Sequence, residues 1–561
     1  MFNNFKKNRW QKCYSKEDWK IEANNYSIFE YMSNKALVYQ EEYAYNYFGN
    51  LIKYKEFLIQ IDKCAKAFKK IGINKNDVVT ICMPNTPESI ICFYALNKIG
   101  AISNMIHPLS GEEEIKYYLN STNSKMLVMI DICYEKIKNI IKETNVVKTL
   151  VISAKDSMPL ILSLFYSLTK GFKIEKPKKN SNYIYYKDFI LQGENYEGQY
   201  FEKTSKDDVA VILHSGGTTG NPKGIVLTNG NFNSLALQTS KIFKKIEKGD
   251  KCLSIMPIFH GFGLGVSIHC PLSLGVTCIL IPQFDARKFD KLLKKYNPNV
   301  LLGVPTLYEA LVNTNNTNLD LSNLKYIICG GDILSLSLED RINNFLKKCN
   351  CQETVSQGYG MTETLAAVCL SYDEYKRLSS IGIPFPSNNI KIVKPGTQEE
   401  LNDNEDGEIC INGPTVMAGY LNNEKETNEV LQIHKDGLIW LHTGDIGCIN
   451  SEGIIFYKQR LKRMIITSGY NVYPSYIENI IEEHEAVLKC TVVGIPHPYK
   501  VEVPKAYIVL KNGYNLNQNI KNSIKKHCEK KLAKYSIPYE FEYRKTLPKT
   551  LIGKIDINKL K

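Results

Sequence analysis

No apolar stretch in this chain approaches the ~20 residues needed to cross a bilayer, and Met1-Phe-Asn-Asn-Phe-Lys-Lys has no apolar leader segment. A cytoplasmic protein with no transmembrane segment is therefore expected. Cys-x-x-Cys pairs are also missing. The sixteen cysteines are scattered, Cys349-Asn-Cys351 being the tightest spacing, so neither a zinc site nor a disulfide framework is expected. Most should act as small buried hydrophobes. Acidic residues are in deficit, 58 against 71 basic, for a formal net charge of +13. The lysine clusters Lys69-Lys70, Lys244-Lys245, Lys294-Lys295 and Lys525-Lys526 are dispersed. That spacing fits a solvated surface rather than a nucleic-acid stripe, and no nucleic-acid partner is expected. A basic surface still attracts anionic small molecules and anionic membranes.

What is present describes a large folded chain. Its 561 residues exceed one ordinary core, and 43% hydrophobic with 23% charged residues is ordinary globular composition. Residues 54–68 carry apolar side chains at helical spacing, 77–83 form a short apolar run ending at Pro84, and 89–96 suit a helix. Further buried-strand candidates lie at 125–130, 276–281, 300–303 and 326–329. This rhythm predicts a large mixed α/β domain. Near Arg460 the pattern resets to a smaller unit, with a helix at 477–483, a strand at 488–493 and a lysine-rich helix near 520–532. Residues 158–168 are apolar and are followed by Lys170, Lys173, Lys176, Lys178 and Lys179. A surface helix packed on the domain is the plainer reading of this segment, and peripheral contact with a membrane is the other.

His214-Ser-Gly-Gly-Thr-Thr-Gly-Asn-Pro-Lys-Gly224 is the most informative stretch. Gly216, Gly217 and Gly220 allow tight turns that bring backbone N–H groups to an anion, while Ser215, Thr218, Thr219 and Lys223 add hydroxyls and a positive charge. Such a loop suits a polyphosphate. The Walker pattern requires Ser or Thr after the lysine, and Gly224 stands there, so a different phosphate loop is implied.

This loop resembles the signature of the adenylate-forming superfamily of acyl-CoA synthetases, luciferases and peptide-synthetase adenylation domains. Four further segments resemble that family in order: Gln357-Gly-Tyr-Gly-Met-Thr-Glu-Thr364, Trp440-Leu-His-Thr-Gly-Asp445, Arg460-Leu-Lys462 with Ser468-Gly-Tyr-Asn-Val-Tyr-Pro474, and Pro548-Lys-Thr-Leu-Ile-Gly-Lys-Ile-Asp556. The resemblance implies an α/β fold with a large AMP-binding N-terminal domain at 1–458, a hinge at 459–463 and a small mobile C-terminal α+β domain at 464–561. It implies ATP and Mg²⁺, with CoA as co-substrate. Residues 215–223 would hold the β- and γ-phosphates, Glu363 the Mg²⁺, and Thr362 the α-phosphate. Gly330, Gly331 and Gln357-Gly358-Tyr359-Gly360 would line the adenine. Asp445 would accept the ribose hydroxyls with Arg460 assisting. Lys554 would be the principal catalytic residue, bridging carboxylate and α-phosphate. Lys462 would be the pivot for a rotation that brings Ser468 and Gly469 to the pantetheine channel. Gln459, Arg463 and the residues after Pro474 depart from the family pattern.

Met256-Pro-Ile-Phe-His260-Gly-Phe-Gly263 resembles the element at the mouth of the acyl pocket. His260 there would close the site around the carboxylate. Gly261, Gly263, Gly265, Gly330 and Gly331 are expected to leave room for an extended chain. The resemblance implies a carboxylic acid:CoA ligase for a medium- or long-chain fatty acid. Its rivals are an enzyme loading a carrier-protein phosphopantetheine, an aryl acid ligase, and a noncatalytic nucleotide-binding scaffold.

Overall fold

The computed structural model describes residues 9–560 apart from 179–181, 216–221, 315, 317, 468–469, 498–499, 535 and 550–554. Two large sheets are built from strands between Tyr43 and Tyr420. One is eight-stranded, in the order Gly419–Tyr420, Lys223–Thr228, Val209–Ser215, Ile102–Met105, Val78–Cys82, Met126–Ile130, Lys148–Ile152 and Tyr183–Tyr185. From Val209–Ser215 to Tyr183–Tyr185 its strands run parallel. The other is nine-stranded and parallel from Tyr43–Tyr47 through Thr277–Leu280, Lys251–Ser254, Val300–Gly303 and Tyr326–Cys329 to Ser356–Tyr359. Each apolar run expected as a strand is one, because a strand covered on both faces needs no polar alternation.

The sheets are joined through a shared core. Helix Pro87–Lys98 starts on a Thr86 cap, and all twelve of its residues are buried. Just before it, Asn85 Nδ2 donates to the carbonyls of Ser254 (2.9 Å) and Met256 (2.8 Å), and its Oδ1 accepts the Ile258 N–H. One amide thus fixes the C-terminal end of a strand in each sheet, where open parallel sheets place their ligands. Helix Tyr54–Lys70 buries Phe57, Ile61, Cys64, Ala65 and Phe68 along one face, as its spacing requires.

A third sheet contains Asn389–Val393, Gly407–Asn412, Ile439–Ile449, Leu431–Ile433 and Ile455–Arg460. A fourth, built around the long hairpin Val487–His497 and Val501–Leu510, has its own cores of residues 465–532 and 493–560. The main core ends at Ile455, and the turn Leu461–Arg463 joins the two parts. All sixteen cysteines are free thiols, and Cys13 and Cys448 alone are not fully buried. Among the described residues, no helix is long and apolar enough to cross a membrane.

Helix Leu160–Thr169 does not pack as the plainer sequence reading expected. None of its residues is fully buried, and its large apolar side chains face solvent. The side turned to the domain is polar instead, with Lys155 Nζ donating to Ser167 Oγ at 2.9 Å.

Candidate active site

A cleft of ≈ 2220 Å³ opens where the two large sheets, the third sheet and the C-terminal part meet. Ser215, Lys223, His260, Gly330, Gly331, Gln357, Gly358, Tyr359, Gly360, Thr362, Glu363, Asp445 and Arg460 all line it. Residues 216–220 of the glycine-rich loop lie outside the described residues, as do Ser468, Gly469 and Lys554. Lys549, Ile555 and Asp556, which bracket Lys554, line the cleft. Lys462 lies in the turn Leu461–Arg463.

At one end, Asp445 is 1% exposed. Its Oδ2 accepts the Tyr359 hydroxyl at 2.8 Å, and its Oδ1 lies 3.0 Å from Arg460 Nε. Burial and then the Asp445 charge push the Tyr359 phenol well above its ordinary value, so it stays a donor. Gly444, at φ +68°, sits within strand Ile439–Ile449 at the bulge that presents Asp445. Glu408 holds that bulge: Oε1 accepts the Gly444 N–H at 2.9 Å and Oε2 lies 2.9 Å from His442 Nδ1. His442 Nε2 in turn lies 2.9 Å from His434 Nε2. Burial, then Lys391 and His442, depress the His434 pKa to about 4. A neutral His434 thus ends a hydrogen-bonded chain that runs through His442 to Glu408. Sequence reasoning missed this chain. Its one local signal is a carboxylate and a histidine placed on adjoining strands.

At the other end, Ser215 and Lys223 are cross-strand partners at the mouth of the hairpin whose turn is the glycine-rich loop. Lys223 pairs with Glu426 at 2.8 Å and lies 4.7 Å from the Tyr420 ring centre. The Tyr420 hydroxyl donates to Glu363 Oε1 at 3.0 Å. Lys223 and Glu363 are thus tied through one tyrosine, which sequence reasoning also missed. Glu363 sits in the turn Thr362–Thr364, after which Leu365 (φ +52°) and Ala366 (φ +84°) adopt left-handed backbone. Those values are costly for non-glycine residues and mark a loop held by its surroundings. Gly360 makes the loop feasible, since a Cβ there would lie 2.0 Å from the Ala366 carbonyl oxygen.

The apolar wall comes partly from Phe262–His269, a π-helical turn of a kind often found at functional sites. His260 precedes it, with its ring 4.9 Å from Phe259, which lies 4.3 Å from His107. Three of the five glycines expected to leave room, Gly261, Gly263 and Gly265, act differently here. A Cβ on Gly263 would meet the Pro257 carbonyl oxygen at 1.9 Å, and Gly261 and Gly265 lie against Leu365, Ala366 and Leu235. They permit backbone packing in the wall rather than opening space within it.

Residues 32–421 match the family model described as AMP-binding enzyme, and residues 476–554 match the AMP-binding enzyme C-terminal domain. The chain is an AMP-binding enzyme. This AMP-binding enzyme is 31% identical over 535 residues to the long-chain-fatty-acid–CoA ligase of Bacillus subtilis (strain 168), covering 95% of this chain and 93% of that protein. It is 30% identical over 564 residues to the protein of the same name in Haemophilus influenzae, covering 97% and 96%. Its fold matches ATP-bound MatB from Rhodopseudomonas palustris with a TM-score of 0.82 at 23% identity, covering 96% of this chain and 98% of that one.

In the C-terminal part, Arg463, where the sequence reading expected a departure from the family pattern, has a carboxylate partner. Arg463 lies 2.6 Å from Glu478 Oε1, and that oxygen also accepts the Val492 N–H at 2.7 Å. Arg463 is paired with a carboxylate on the helix Pro474–Glu482.

Proposed function

We propose that this AMP-binding enzyme is an ATP-dependent carboxylic acid:CoA ligase that activates a medium- or long-chain fatty acid, releasing AMP and pyrophosphate. The supporting observation is that one cleft carries a buried acceptor suited to a ribose, Asp445 with Tyr359 and Arg460, and a separate Lys223–Tyr420–Glu363 group suited to phosphates. Leu235, Phe262, Val266, Val304 and Leu338 give the same cleft an apolar side for an aliphatic chain.

In this reading a carboxylate attacks the α-phosphorus of ATP and pyrophosphate leaves. A thiol then attacks the acyl carbonyl and AMP leaves. The first step brings an anion to a polyanion, so positioned positive charge and donors must carry it. Ser215 through Lys223 would hold the outer phosphates, Thr362 the α-phosphate, and Gly330, Gly331 and residues 357–360 the adenine. Lys554 would bridge the two reacting groups, and His260 would close the site around the carboxylate. Glu363 is an anionic oxygen donor facing the cleft, the donor type Mg²⁺ prefers, and the ion would neutralise phosphate charge there. We assign the pivot of the small domain to residues 459–463 with Lys462 at its centre, and Ser468-Gly469 to the pantetheine path.

Mass spectrometry of products from ATP, Mg²⁺ and acids from acetate to palmitate plus aryl acids, with and without CoA, tests the reading. Acyl-CoA from one aliphatic length range supports it. Aryl-CoA would move the assignment to an aryl acid ligase, and adenylate that never passes to CoA would move it to carrier-protein loading. No adenylate from any acid would leave a nucleotide-binding scaffold.

A further inference from the structure

Helix Leu160–Thr169 is amphipathic in the reverse sense of a surface helix. At 3.6 residues per turn, Leu160, Ile161, Leu164, Phe165 and Leu168 fall on one side, and they are 65–84% exposed. Phe172, in the turn that follows, is 68% exposed. The opposite side carries Leu162, 39% exposed, with Ser163, Tyr166 and Ser167, which are partly buried toward the domain. Ser167 takes the Lys155 hydrogen bond, and burial with the nearby Asp131 charge raises the Tyr166 phenol. Packing on the fold accounts for that side only. A contiguous apolar face of this kind marks a contact site.

We propose that this face, with the basic segment after it, docks on an anionic lipid bilayer. Charge selects this occupant. Lys170, Lys173, Lys176 and Lys178 follow the apolar face and are exposed. The lone acidic residue in 157–178 is Glu175, which is paired with Lys138 at 2.7 Å. Apolar side chains beside lysines suit the acyl and headgroup layers of a membrane surface. Pairing two copies of this face would instead bring clusters of one sign together. The helix also follows strand Lys148–Ile152, which runs parallel to Val78–Cys82 and Ile102–Met105. It therefore leaves the sheet at the same end as Asn85 and the cleft-lining His107. Docking there would bring the end of the sheet that carries the cleft toward the bilayer.

The test uses flotation of the full chain with phosphatidylcholine vesicles, with and without phosphatidylglycerol, and needs no enzymatic activity. Wild type is expected to float with the anionic vesicles at low salt and to be released by high salt. A triple variant, Leu164→Ser, Phe165→Ser and Leu168→Ser, should bind about tenfold less or worse. A second, Lys170→Gln, Lys173→Gln and Lys176→Gln, should lose the preference for anionic lipid. Because every replaced side chain is exposed, circular dichroism and melting should be unchanged. If the serine variant misfolds, the glutamine variant alone decides. Wild type that stays unbound at low salt, or a serine variant that floats as well as wild type, overturns the proposal. So does a lipid-independent dimer that the serine variant dissolves.

Discussion

A carboxylate taken almost entirely out of water, as Asp445 is, persists only with donors around it, and Tyr359 and Arg460 supply them. Asp445→Asn would keep the shape but lose the charge-assisted acceptor. A loss of about tenfold or more in kcat/KM for ATP is expected, from about 1.5–3 kcal/mol for hydrogen bonds to a charged group. Steady-state kinetics with varied ATP would show it, and an unchanged value would remove Asp445 from ribose binding. Lys554 calls for a different readout, because its proposed role ends when the adenylate forms. Lys554→Ala should lower adenylation by about a hundredfold or more, while thioester formation from a supplied acyl-adenylate continues. Equal loss in both steps would argue against the assignment. Glu408 touches no reacting atom in this scheme and acts as a positioning residue through Gly444. Glu408→Gln cannot accept from both Gly444 and His442 as the carboxylate does. It should raise KM for ATP several-fold with a smaller effect on kcat, a split that a merely structural role would not produce.

Among the elements, the parallel strands were legible because their apolar runs need no context. Residues 326–329 and 300–303 form strands as their sequence indicates. The site motifs were legible as segments, yet what holds them was not. Tyr420 reaches Glu363 across 57 positions, and Asn85 reaches Ser254 across 169. No local pattern encodes such pairs. The π-helical turn Phe262–His269 escaped for a related reason, since Gly263 is set by the Pro257 carbonyl and Gly265 by the Leu235 and Leu365 side chains rather than by periodicity. The orientation of Leu160–Thr169 was equally illegible, because periodicity gives an apolar side without saying which way it faces. The loop after Tyr359 shows what an element can demand of one position. Gly360→Ala would drive a Cβ to 2.0 Å from the Ala366 oxygen, against backbone that Leu365 and Ala366 already hold at positive φ. A destabilisation of about 2 kcal/mol or more, read from urea midpoints, is expected together with loss of ATP binding.

Over the whole molecule, the main core unites two sheets around fully buried polar groups, and this couples its stability to acid. His269 is 0% exposed, with Nδ1 3.1 Å from the Tyr94 hydroxyl and the rings of Tyr31 and Phe232 around it. Burial alone presses its pKa to about 3, and burial does the same to His214. A free histidine titrates near 6.5, so between about pH 6.5 and 3 the unfolded chain binds protons that the folded chain refuses. The native state therefore holds its full advantage above about pH 6.5 and loses it as pH falls toward 3. At pH 5 each such histidine costs about 2 kcal/mol relative to neutral pH. His269→Phe removes one of these linkages, and the Tyr94 hydroxyl it leaves unpaired does not titrate in this range, so that loss is the same at both pH values. Urea unfolding of wild type and His269→Phe at pH 7.5 and pH 5.0 should show the variant losing about 2 kcal/mol less on acidification. If both proteins lose the same amount, His269 is not held neutral in the folded core.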